Sequence, residues 1–249
     1  MTDRVKEIAE TERLARQAAE FGPEDAVALS RSAHALAFVV GDLDAAASFV
    51  DRALVLNPNV AGAWYASGWI RVWLGEPDLA IAHMATGMRL SPRDPHMIGM
   101  QGGTAFAHFI AGRYEEAAAW AEKAMWEQSN YLTTLLVAAA SNALAGRLAD
   151  ARKSMMRVRE LDPAMRVSKV GEWATFRRPD DLTRLKEGLR GAGLPERVGK
   201  SGSGRLCCKS LKTPGDNILV AANGALVYAK YGWRAPAQVY RKWDFGRKR

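Results

Sequence analysis

Apolar residues recur along most of the chain at intervals of three and four, the spacing that draws one stripe along an α-helix. Val5 to Phe21 carries Ile8, Leu14, Ala15 and Ala18 on such a stripe, and Gly22-Pro23 ends it. A second isolated stripe, Leu182, Leu185 and Leu189, follows Arg178-Pro179-Asp180-Asp181 and stops before Gly191. Its opening has proline near the first helical position and acids in the first turn, where the helix dipole favours negative charge. Between these two helices the pattern is periodic over a much longer distance.

Three segments end alike: Val27 to Pro58, Ala61 to Pro92 and Leu132 to Pro163, and Pro58 and Pro92 stand 34 residues apart. A further copy, Ile98 to Ser129, puts Ser129 where the others have proline, and Ser129 again precedes Pro163 by 34. Each copy has a glycine near its middle (Gly41, Gly75, Gly112, Gly146), suited to the left-handed position that closes a helix. Small residues follow at Ala46, Ala80, Ala117 and Ala151, and seven places later at Ala53, Gly87, Ala124 and Val158. Seven residues is about two helical turns, so each pair shares a face, and small side chains there let a second helix approach the first closely, where Gly68, Ala105 and Ala139 leave room. The terminal proline cannot continue the second helix. Each copy therefore predicts two antiparallel helices, A and B.

The run Trp64-Tyr65-Ala66-Ser67-Gly68 with Ala80, Gly87 and Pro92 resembles the signature of the tetratricopeptide repeat (TPR) family, whose period is also 34 residues. The resemblance implies an all-α fold, a right-handed TPR superhelix of about four helix pairs. Its expected divisions are residues 1–23 as an orphan B-type helix, 24–163 as four helix pairs, 164–197 as a capping segment and helix, and 198–249 as a linker and basic aromatic tail. A solenoid that starts on a B helix exposes a face that a preceding unit would cover. The expectation is a chain corresponding to the C-terminal part of something longer, or one with an atypical N-terminal cap.

Ala33-His34-Ala35-Leu36-Ala37-Phe38-Val39-Val40-Gly41-Asp42-Leu43-Asp44, Gly75-Glu76-Pro77-Asp78-Leu79-Ala80-Ile81, Phe176-Arg177-Arg178-Pro179-Asp180-Asp181-Leu182 and Gly191-Ala192-Gly193-Leu194-Pro195 form a narrower pattern. It is similar to the C-terminal TPR regions of bacterial class III adenylate/guanylate cyclase-like proteins, and implies a regulatory role beside a catalytic domain. Helix pairs take up nearly all of residues 5–163, leaving no room for a cyclase domain's acidic metal pair and mixed sheet. Cyclase activity is not carried over.

The net charge of +8 changes meaning once located. Residues 198–249 hold 11 basic and two acidic residues, whereas residues 1–197 hold 24 basic and 25 acidic ones. The body is close to neutral and the excess lies in the tail. There Gly199-Lys200-Ser201-Gly202 reads as linker, and Asn223-Gly224 predicts a short β-hairpin that either docks or is poorly ordered. Lys230, Arg234, Arg241 and Lys242 alternate with Tyr231, Trp233, Tyr240 and Trp243, a mixture that can attract phosphates and stack on bases. Nucleic-acid or anionic-surface binding is the alternative function this suggests, against a plain solvated basic end. No apolar run reaches the roughly 18–20 residues of a membrane span. The adjacent Cys207-Cys208 offers no disulfide framework, which fits a reducing cytoplasm.

The TPR resemblance implies a partner groove lined by helix A. The matching positions include Arg31, Phe38, Tyr65, Trp69, Trp73, Phe106 and Phe109, with His108 beside them. Such an aromatic concentration suits an apolar peptide or helix; the competing reading is that Trp69 and Trp73 simply pack between helices. Trp64 matches an intra-repeat core position. The basic carboxylate clamp of peptide-binding TPR proteins is mostly missing, since its positions hold Arg31, Ala35, Ala66, Gly99 and Gly103. The four histidines lack paired-ligand spacing, Asp42, Asp44, Asp180 and Asp181 read as loop and first-turn acids, and Gly199-Lys200-Ser201 lacks the preceding strand and glycine of a phosphate loop. The sequence thus predicts a scaffold for a protein or peptide, with no catalytic, metal or cofactor site.

Overall fold

The computed structural model describes residues 4–127 and 130–196; the predicted linker, hairpin and basic tail lie outside the described residues. Every regular element among them is helical. Helix α1 (Arg4–Phe21) precedes four antiparallel pairs: α2 (Ala26–Ala35) with α3 (Leu43–Leu56), α4 (Ala61–Leu74) with α5 (Pro77–Leu90), α6 (Met97–Ile110) with α7 (Tyr114–Glu127), and α8 (Leu132–Leu144) with α9 (Leu148–Leu161). A 3₁₀ turn at Val167–Glu172 and helix α10 (Pro179–Gly191) complete the described chain. The molecule is an α-solenoid in which the A helices α4, α6 and α8 each pack on the pair before them, and the first A helix, α2, packs on α1.

Local chemistry sets the helix ends. Gly75 sits at φ +82° after α4, a conformation that costs a side-chain-bearing residue, and Glu76 N–H reaches back to the Arg71 carbonyl at 2.9 Å. Two residues on, Pro77 occupies the first turn of α5, where its missing N–H is no loss. Asp25 caps α2 by accepting from Val27 and Ala28 N–H, and Asp42 caps α3 through Ala45 N–H at 3.1 Å. Asp42 also pairs with Arg16 of α1 at 2.7 Å, tying the first helix to the first pair.

Close packing runs through the small residues. Ala46, Ala80, Ala117 and Ala151 are fully buried, as are Ala105 and Ala139. Met84 threads between α4 and α6: a Cβ on Gly68 would stand 2.7 Å from its Cε, and one on Gly103 would also meet that methyl. Leu36–Val40 extend α2 as a π turn, in which Leu36 C=O accepts from both Gly41 and Asp42 N–H.

After α9 the chain leaves the stacking direction. The 3₁₀ turn is clamped to the end of the described chain, with Val167 N–H donating to the Pro195 carbonyl at 3.0 Å and Ser168 N–H to that of Glu196 at 3.3 Å. Residues 173–178 then cross the first three pairs, and α10 returns along α8. Its approach is tight: a Cβ on Gly188 would lie 2.8 Å from the Ala140 carbonyl oxygen. The predicted capping helix is therefore one arm of a strap along the A helices.

Candidate binding groove

Tyr65, Trp69 and Trp73 stand four apart on α4 and so share one side of it. That side meets Phe38 from the π turn and Phe106 from α6. Trp69 stacks on Trp73 with centroids 5.4 Å apart, Phe38 presents its edge to both at 5.7 and 5.9 Å, and Phe106 lies 5.6 Å from Trp69 and 6.0 Å from Trp73. Offset and edge-on rings of this kind add to what area burial alone contributes.

Of the two readings of these residues, a partner groove and rings packed between helices, the burial of each residue bears on the second. Tyr65, Trp69, Trp73, Phe106 and Phe109 are at most 4% exposed, while Phe38 and His108 are half-buried and Arg31 is exposed. The chain itself supplies the cover. Phe176 sets its edge against Trp73 at 4.8 Å, and Trp173 does the same to Phe106 at 6.4 Å. Arg177 N–H donates to the Trp73 carbonyl at 2.8 Å, and Thr175 Oγ1 donates to the Ala37 carbonyl at 3.4 Å. Phe109 faces elsewhere, toward Tyr114 of its own pair at 5.7 Å.

The strap's polar atoms serve the ends of successive A helices, which carry unpaired carbonyls and partial negative charge. Beyond the bonds to Ala37 and Trp73, Arg184 Nη1 donates to the Ile110 carbonyl at 3.3 Å, and the Arg178 guanidinium lies over Gly75. Arg178 and Arg184 also hold the buried Asp181 carboxylate, at 2.8 and 3.2 Å, and Arg177 pairs with the exposed Asp44 at 2.6 Å. Asp44 and Asp181 thus fasten the strap. Sequence reasoning missed Trp173, Thr175, Phe176 and Arg177 as members of this site. Two aromatics three apart, in a stretch without helical period, were the available signal.

Three indole donors in this cluster are unanswered. The Nε1 atoms of Trp69, Trp73 and Trp173 are buried without an acceptor among the described residues. A buried donor left in that state costs about 1–3 kcal/mol. By contrast Trp64 donates to the Pro58 carbonyl at 2.7 Å.

The histidines divide by surroundings. His34 is buried between Phe38 and Tyr65, with centroids at 4.4 and 5.5 Å; burial chiefly, with Arg31 and His96 nearby, pushes its pKa down to about 3. His83 Nδ1 meets Ser67 Oγ at 2.8 Å, and burial followed by Arg71 holds its pKa below the ordinary value. His96 Nδ1 pairs with Asp94 at 2.8 Å. His108 is lowered by burial and then by Arg113, and its other charged neighbours are Glu116 and Asp78. Among the described residues, no three His, Cys, Asp or Glu side chains gather as a metal site would require, and no helix is long and apolar enough to cross a membrane.

No protein-family model matches the chain. A search of curated proteins gives no match either. Solved structures do match. PilW, described as a widely conserved type IV pilus biogenesis factor, superposes with a TM-score of 0.56 at 16% identity, over 72% of this chain and 78% of that one. YrrB, described as a TPR protein with an unusual peptide-binding site, gives 0.47 at 21% identity, over 72% and 90%. The fold is an all-α solenoid, and the PilW structure shares it.

Proposed function

We propose that the chain is a non-catalytic interaction scaffold that receives a segment of a partner protein against Phe38, Tyr65, Trp69, Trp73 and Phe106, as the regulatory part of a cyclase-like signalling system. Arg31 and His108 are proposed as further contacts at its margins. One observation carries the reading: this aromatic surface already holds a non-helical peptide segment, through ring contacts and a 2.8 Å backbone hydrogen bond from Arg177 to Trp73.

A photo-crosslinking amino acid placed at Phe38 in the full chain tests it, with the same probe at Met156 on the outer side of α9 as control. The expected result is a discrete partner adduct from position 38 and none from 156. Adducts from 156 alone, or adducts that vanish only when residues 198–249 are removed, would overturn the groove reading in favour of the outer surface or of the basic tail.

A further inference from the structure

We infer that residues 173–178, Trp-Ala-Thr-Phe-Arg-Arg, are the groove's resident ligand, and that a partner is recognised as a non-helical segment with aromatic side chains three apart followed by arginine, which takes their place. This rests on the groove reading above and adds the recognition chemistry to it. The strap supplies each part. Trp173 and Phe176 fill the space against Phe106 and Trp73. Between and after them the backbone N–H of Arg177 and the hydroxyl of Thr175 take up the carbonyls that α4 and the π turn offer. The π turn matters here, because Leu36 C=O takes both following N–H groups and the Ala37 carbonyl faces Thr175. Arg177 and Arg178 then meet Asp44 and the C-terminal end of α4.

The fit is incomplete in a way that permits exchange. Trp69 and Trp73 keep unanswered indole N–H groups beneath the strap, and Trp173 buries its own without an acceptor. A segment that brings carbonyl or carboxylate oxygens to these donors binds with hydrogen bonds that the strap does not make. Opposing it is proximity, since a tethered segment presents itself at an effective concentration on the order of 1 mM. For a free segment with intrinsic affinity of about 10 μM, that competition weakens binding by roughly 100-fold.

The test uses a fluorescent peptide of sequence Gly-Glu-Trp-Ala-Thr-Phe-Arg-Arg-Pro, copied from residues 171–179, and anisotropy with the full chain. Wild type is expected to bind weakly. The double variant Trp173→Ala/Phe176→Ala, with its groove residues intact, is expected to bind roughly 100-fold tighter, and adding Trp73→Leu is expected to abolish the gain. Should the double variant be unfolded by circular dichroism, Phe176→Leu keeps an apolar filler, gives up the ring contact with Trp73, and is expected to gain about 3- to 10-fold. Equal binding by wild type and a folded strap variant, whether tight or absent, overturns the inference. It does so without touching the scaffold reading, which the crosslink from position 38 decides; a partner crosslinked there but indifferent to the strap variants would remove only the strap's role.

Discussion

The two sides of this solenoid are built from the same repeat and yet differ in kind. On α6, an A helix, 12 of 14 residues are buried; on α9, a B helix, only Ala151, Met155 and Val158 are. A helix buried nearly all round must be covered on its free side as well as by its neighbours. The B helices instead present large apolar side chains to solvent, including Val55, Trp126 and Met156. The difference teaches that repeat position tells which side of a helix faces inward, while a segment outside the repeats decides whether that side is open.

The sharpest way to break the comparison is to truncate one tryptophan from each side. Trp73→Ala removes a buried indole in contact with Phe38, Trp69, Phe106 and Phe176, and is expected to cost about 3–5 kcal/mol. Trp126→Ala removes a side chain that is 90% exposed, and is expected to change stability by no more than about 0.5 kcal/mol. Urea unfolding of both variants measures the two values. Comparable losses would mean that the A side is not closed as described.

A smaller effect comes from His34, stacked inside that closed side. In the unfolded chain His34 returns to an ordinary value of about 6.5, against about 3 when buried. Between those values the unfolded chain binds the extra proton. Stability is therefore fully present above about pH 6.5 and declines as pH falls toward 3, by on the order of 2 kcal/mol at pH 5. His83 and His108, also lowered, act in the same direction. His34→Phe keeps a ring between Phe38 and Tyr65, and is expected to unfold with a distinctly shallower loss between pH 7.5 and 5 than wild type. An unchanged slope would place His34 in contact with water and loosen the claim that the first pair is sealed.

These effects also mark how far the sequence could be read. The helix pairs were legible because their causes are local and repeated: Gly75 closing a helix, Pro77 opening the next, Ala80 and Gly87 sharing a face. The aromatic cluster was legible too, as Tyr65, Trp69 and Trp73 recur every four residues. Its cover was not. Trp173 and Phe176 reach their partners across separations of 67 and 103 residues, through a stretch whose short 3₁₀ turn has no stripe to count. Asp181 shows the same limit: a first-turn acid by position, it is a buried anchor for Arg178 and Arg184 by contact. Pairings of low periodicity and long range leave their trace in the composition of a segment, and composition does not say where the segment lies.

The smallest expected effect lies on the outer side. Met156 is 60% exposed on α9, and Arg152 stands four residues before it. Replacing it with glutamate puts a charge where water already reaches, with Arg152 one turn before it and Glu160 one turn after, an attraction and a repulsion of similar small size. Met156→Glu should therefore unfold within about 0.5 kcal/mol of wild type. Partner capture should be equally indifferent, because the proposed contact lies on the A helices. A variant as stable as wild type that no longer captured its partner would reverse the comparison, making the exposed apolar residues of the B helices the recognition surface and the strapped aromatic cluster merely its support.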